Sequence, residues 1–152
     1  MKYTIIAVGR WKSGPERDLF EHFSLRLSPP IELLEVEERR KLSVDELKNK
    51  EATLLLSAVP RGASIVALDG GGTMLSSCDL AKRIGNWRDQ GVREIAWLIG
   101  GSNGLGDGVI ARANLRLSLG LQTWPHLMVR AMVGEQLFRS QCILSGHPYH
   151  RE

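Results

Sequence analysis

The sequence predicts an α/β domain with a mostly parallel sheet flanked by helices. Three observations predict it. Short apolar runs alternate with amphipathic segments along the whole chain. The apolar runs are continuous rather than alternating, as expected of strands covered on both faces. Glycine closes several of them, directly at Gly9 and Gly100 and one residue on at Gly70. A chain of 152 residues with no repeat and no linker is expected to fold as one domain around one core, residues 1–152.

Tyr3 to Gly9 reads as the first strand, β-branched and closed by glycine. Ser13-Gly14-Pro15-Glu16 then opens a helix with Ser13 as its cap, Pro15 in the first turn and an apolar stripe at Leu19, Phe20 and Phe23. Ile31 to Val36 is the second strand. Ser43-Val44-Asp45-Glu46 is a capping box, and the helix behind it runs through Leu47, Leu54 and Leu55 toward Pro60. Ser64 to Leu68 is the third strand, ending in Asp69-Gly70-Gly71-Gly72. Ser76 or Ser77 caps the next helix, with Leu80, Ile84 and Trp87 on its apolar side. Ile95 to Ile99 is the fourth strand and runs into Gly100-Gly101. A helix from about Asp107, a short strand from Leu115 to Leu119 and a long helix from His126 to Leu144 complete the order.

Composition narrows the classes. A net charge of +3 and a pI near 9.1 permit a polyanionic partner without requiring one. Cys78 and Cys142 lie far apart, which favours a reduced, cytoplasmic protein over a disulfide scaffold. The apolar run at the start is too short for a signal-peptide core, and no stretch approaches the ~20 apolar residues that span a bilayer, so no membrane partner is expected. His147 and His150 lack a third ligand motif, and no metal is expected.

In parallel sheets ligands bind beyond the carboxyl ends of the strands. Three such ends are loaded here: 68–72, 99–104 and 119–125. No Gly-Lys-Ser/Thr follows the glycines, and their spacing does not match the dinucleotide fingerprint. Tight turns explain any one loop; three together point to a small-molecule pocket built largely from backbone groups. Asp69 could hold a ribose, act as a base or cap a turn. No Gly-x-Ser-x-Gly elbow is present for a serine hydrolase.

The last helix places Leu127, Arg130, Ala131, Gly134, Leu137, Phe138 and Ile143 largely on one face. Gly134 is costly inside a helix unless something packs closely on it, either a partner helix or a segment of the same chain. The partner helix is taken as the expected interface. The ending His147-Pro148-Tyr149-His150-Arg151-Glu152 holds two imidazoles, a phenol, a guanidinium and a carboxylate, stiffened by Pro148. A disordered polar tail and part of a site are the two readings. Arg130 and Arg139, leading to that ending, suit RNA phosphates and a splayed base.

Several motifs occur together in this order. They are Leu68-Asp69-x-x-Gly72 with Ser76-Ser77, Leu98-Ile99-Gly100-Gly101-x-x-Gly104-Leu105, Pro125-His126-x-x-x-Arg130, Glu135-Gln136-Leu137-x-Arg139, and the terminal hexapeptide. Over its whole length the chain resembles the bacterial large-subunit ribosomal RNA methyltransferase H family of the SPOUT class. The resemblance implies a C-terminal trefoil knot, a homodimer, and methyl transfer from S-adenosylmethionine to N3 of a pseudouridine in 23S ribosomal RNA of the 70S ribosome. It implies cofactor contacts at Leu68, Gly100, Gly101, Gly120, Leu121, Gln122, Thr123, Trp124 and Pro125. Thr73 where a lysine is common, Ser102-Asn103, Cys78 and Phe138 depart from the commoner pattern.

His147, Tyr149, His150 and Arg130 are the expected catalytic groups, and Arg139, Arg151 and Glu152 the expected substrate contacts. A non-catalytic RNA-binding module on the same fold is the alternative. A nucleotide-dependent oxidoreductase is opposed by the absent fingerprint.

Overall fold

The computed structural model describes residues 1–151; Glu152, expected to contact substrate, lies outside the described residues. In chain order the elements are β1 (Lys2–Val8), α1 (Pro15–Ser24), β2 (Glu32–Val36), α2 (Val44–Ser57), β3 (Ser64–Met74), α3 (Ser77–Asp89), β4 (Glu94–Ile99), α4 (Asp107–Arg112), β5 (Leu115–Ser118) and α5 (His126–Ser145). The expected order and types stand.

The strands form one parallel sheet in the order β2-β1-β4-β3-β5. Its residues alternate between two cores, which is why both faces read as apolar. Ile5, Ala7, Val66, Ile95 and Trp97 face α1, α3 and α5. Ile6, Val8, Ile65, Ala67 and Leu98 face α2 and α4. Parallel pairing brings all five carboxyl ends to one edge.

Two caps follow the expected chemistry. Ser43 Oγ accepts from Glu46 N, and Ser76, rather than Ser77, accepts from Asp79 N. Ser13 does not cap α1. The helix starts at Pro15 on Gly14, with no side-chain cap, so Ser13 sits one residue too early.

The glycines after Leu68 do not end β3. Leu68 and Thr73 both register with Leu117, so Asp69 to Gly72 bulge out of the ladder before pairing resumes. A Cβ on Gly72 would lie 2.6 Å from the backbone carbonyl carbon of Arg116. Only glycine permits that crossing of β3 over β5.

Gly134 has a close neighbour within its own chain. It is buried in α5, and a Cβ there would meet the Phe20 ring at 3.2 Å and Ile31 at 3.7 Å. The close partner is α1 of the same chain, which accounts for this glycine without a second copy.

Candidate active site

The carboxyl ends of β3, β4 and β5 enclose a cleft of about 340 Å³, within the range of small-molecule sites. Each wall has a local cause. Gly100 runs so close to the next turn that a Cβ would lie 2.7 Å from the Gly104 carbonyl carbon. Gly104 N closes that turn on Gly101 O at 3.0 Å. Beyond β5, Ser118 Oγ accepts from Gly120 N at 3.2 Å and donates to Gly120 O at 3.1 Å, which bends the chain at a glycine of φ +113°. Trp124 Nε1 donates to Leu119 O at 3.3 Å and folds the loop back on itself.

The expected cofactor positions Leu68, Gly100, Gly101, Gly120, Leu121, Gln122, Thr123 and Trp124 all line this cleft. Pro125 does not; it is the residue on which α5 begins. Asp69 lines the cleft too, with Oδ2 held by Arg116 Nε at 3.0 Å and Nη2 at 2.5 Å. His126 and Val129 were not foreseen as lining residues. His126 is the first residue of α5, and burial, then the charge of Arg130, push its imidazole below the ordinary value. Both effects favour the neutral imidazole.

Arg130 is a correction. It was expected to touch substrate, yet it is wholly buried. Its Nη1 lies 2.7 Å from Glu35 Oε1, and its Nη2 donates to Val8 O at 2.9 Å and Gly9 O at 2.8 Å. Glu35 Oε1 also accepts from Trp11 N at 2.7 Å, and the guanidinium stacks 5.0 Å from the Trp11 ring. Arg130 therefore fixes the loop after β1 and does not reach the cleft. Neither Glu35 nor Trp11 carried a sequence signal for this role.

The C-terminal residues through Arg151 form a second cluster. Gly146 ends α5 in the left-handed conformation, and His147 N donates back to Cys142 O at 2.9 Å. Tyr149 packs on Phe138 at 4.8 Å between ring centroids, and its hydroxyl donates to Glu135 Oε1 at 3.0 Å. Arg139 Nη2 reaches the same oxygen at 2.5 Å, and Arg139 Nη1 donates to His150 Nδ1 at 3.2 Å. Because a guanidinium only donates, Nδ1 is the acceptor and Nε2 carries the proton, 3.4 Å from Cys78 Sγ. His147 Nδ1 accepts from Tyr149 N at 3.2 Å. Arg151 is exposed.

None of these groups lines the cleft. An apolar groove joins the two clusters along the surface. It shares Leu117, Leu119 and Gly120 with the cleft and reaches Glu135 and Gln136.

Residues 1–150 match the family described as predicted SPOUT methyltransferase. The chain is 54% identical over 151 residues to ribosomal RNA large subunit methyltransferase H of Paramagnetospirillum magneticum, covering 99% of each chain. It is 53% identical, at the same coverage, to the protein of that name from Rhodospirillum centenum, and 48% to that from Rhodospirillum rubrum. The chain belongs to the SPOUT methyltransferase family, in its ribosomal RNA large subunit methyltransferase H branch.

As a SPOUT methyltransferase it is an S-adenosylmethionine-dependent enzyme. The donor set of the cleft fits that cofactor. Leu68, Ile99, Leu117 and Val129 offer apolar walls for an adenine ring, and the backbone at Gly100, Gly101 and Gly120 offers the polar contacts. The lowered His126 imidazole favours the uncharged form, which does not oppose a sulfonium. Among the described residues no group of three or more metal-ligating side chains is present, and no helix is long and apolar enough to cross a membrane.

Proposed function

We propose that this chain methylates N3 of a pseudouridine in 23S ribosomal RNA within the assembled 70S ribosome, acting as a homodimer with a trefoil-knotted C-terminal half. One observation carries the reading. The cleft that fits S-adenosylmethionine contains none of the described tail residues, while Tyr149 and His150 form an ordered cluster with Glu135 and Arg139 of α5 elsewhere on the same chain.

A second copy resolves the separation. The apolar groove carries Leu19, Met74 and Met128, each at least 38% exposed, and runs between the cleft and the tail cluster. Packing two copies along it would bury these side chains and bring one subunit's tail to the other's cleft. The knot reading is supported by the path after β5, where residues 119–124 line the same cleft as Gly100 and Gly101 before the chain enters α5.

Bound in the cleft, S-adenosylmethionine supplies an electrophilic methyl carbon. The chain's own residues supply position and proton handling. Leu68, Gly100, Gly101 and the 120–124 segment fix the donor, and alignment of donor and acceptor is worth up to roughly 7–11 kcal/mol in the best intramolecular cases. The N3 proton must leave, and His147, Tyr149 and His150 are the groups offered to take it or to hold the resulting anion. His150 is tied at both nitrogens, so it acts only if Arg139 or Cys78 lets go. Arg139 and Arg151 hold RNA phosphate or developing charge. Glu135 accepts from both Tyr149 and Arg139 and orients the pair.

The position of the methyl group tests the reading. Mass spectrometry of nucleosides from treated 23S RNA should show N3-methylated pseudouridine. A methyl group on another base or on ribose would overturn the assignment of the target atom.

A further inference from the structure

The chain's excess of positive charge falls on two adjoining loops at the carboxyl edge of the sheet. The loop after β1 carries Arg10 and Lys12, and the loop after β2 carries Glu37, Glu38, Arg39, Arg40 and Lys41. That is five cations against two carboxylates. The excess equals the net +3 of the whole chain, so the remainder is balanced. All five cations are exposed.

The two loops form one surface. β1 and β2 are parallel neighbours with Val8 opposite Val36, and Gly9 N donates to Val36 O at 2.8 Å. Arg10 Nε and Arg39 Nε lie 3.5 and 3.2 Å from the same oxygen of Glu37. Arg40 holds Glu38 through bonds of 3.0 and 3.3 Å, and these bonds hold the Glu38 carboxyl down at about 2. Glu37 is thus a strut between Arg10 and Arg39, Glu38 pairs with Arg40 alone, and the five cations stay in excess of the two carboxylates.

The loop after β1 is held in place before any ligand arrives. Trp11 is buried between Arg10 and Lys12, against Phe20 at 5.2 Å and under Arg130. Arg130 also ties down Val8 O and Gly9 O. The loop adjoins the cleft, because His126 Nε2 lies 3.8 Å from where a Cβ on Gly9 would sit, and His126 lines the cleft.

We infer that Arg10, Lys12, Arg39, Arg40 and Lys41 form a ridge that grips the RNA phosphates flanking the nucleotide presented to the cleft. The inference rests on the RNA-methylation reading above. A polyanion fits better than an acidic protein surface. Stable protein contacts centre on large apolar anchors, and none of the exposed large apolar side chains lies on either loop. Spaced, pinned cations without such an anchor match backbone contacts, which position nucleic acid without reading its sequence.

The test compares the wild-type protein with Arg10→Ala/Lys12→Ala/Arg39→Ala and with Lys41→Glu. The full chain and intact 70S ribosomes are used. For the triple variant the expected result is a KM for ribosomes raised at least tenfold, with kcat and S-adenosylmethionine affinity within about twofold of wild type. The slope of log(kcat/KM) against log salt should become shallower by ~0.7–0.9 for each phosphate that the variant no longer neutralises. Lys41→Glu should move KM and slope in the same directions. Unchanged KM and slope in both variants would overturn the ridge. If the wild-type protein methylates no RNA, the parent reading fails by itself. Salt-dependent co-sedimentation with ribosomes then reads the ridge independently, and equal binding by wild type and variants overturns it.

Discussion

Arg130 Nη1 lies 2.7 Å from Glu35 Oε1, pairing a wholly buried cation with a carboxylate that keeps one edge in solvent. The pair joins α5 to β2, and through Trp11 N, Val8 O and Gly9 O it also fixes the loop after β1. Removing one member of a buried pair leaves the other uncompensated. Glu35→Ala should cost about 3–5 kcal/mol in urea unfolding, and Glu35→Ala/Arg130→Met should recover much of that loss. A single-variant loss below ~1 kcal/mol, the scale of an exposed pair, would show that Arg130 is solvated in solution.

Gly100 is required by proximity rather than by backbone freedom. A Cβ there would sit 2.7 and 2.8 Å from the Gly104 carbonyl carbon and oxygen. Gly100→Ala must therefore displace the turn that walls the cleft. Titration calorimetry should show S-adenosylmethionine binding weakened at least tenfold, about 1.4 kcal/mol. Gly108→Ala, whose Cβ would meet only Leu56 at 3.9 Å, should leave the affinity unchanged. Equal affinities for wild type and Gly100→Ala would remove this segment from the site.

The tail and the cleft should separate in their effects. Tyr149→Phe keeps the packing on Phe138 and removes the bond to Glu135, at a cost of about 1 kcal/mol in unfolding. Deleting residues 147–152 should leave cofactor affinity largely intact, because every wall of the cleft comes from residues 68–129. If the tail handles the proton, kcat at saturating ribosomes should fall by roughly 10²–10⁴. A rise in KM alone would mean that the tail only orders the RNA.

Glu51 makes stability depend on pH. It is buried in α2 beside Gly101, and burial raises its carboxyl above the ordinary value of 4.5. Between 4.5 and that raised value the folded chain holds more of this proton than the unfolded chain does. Stability therefore falls as pH rises through this window. Glu51→Gln should raise the melting temperature at pH 7 and change it little near pH 4. An equal shift at both pH values would assign the effect to packing instead of ionisation.

The strands were legible because parallel strands covered on both faces read as uninterrupted apolar runs. The 68–72, 99–104 and 119–125 loops were legible because a parallel sheet puts its ligand site at carboxyl ends, and each of them contains glycine. What escaped was set by contacts distant in sequence. A strand that bulges and resumes, as β3 does at Asp69–Gly72, has the same local sequence as one that stops. Arg130 on a helix face reads the same whether it meets solvent or Glu35, 95 residues away. Gly134 announced a close neighbour, but its sequence context did not distinguish Phe20 of the same chain from a second copy.

Methyl transfer from radiolabelled S-adenosylmethionine to intact 70S ribosomes, with free large subunits and naked ribosomal RNA in parallel, tests the central claim most directly. The predicted result is label in large-subunit RNA from 70S particles and little or none in the other two samples. Absence of label from all three, with a protein that demonstrably binds the cofactor, would contradict ribosomal RNA as the substrate.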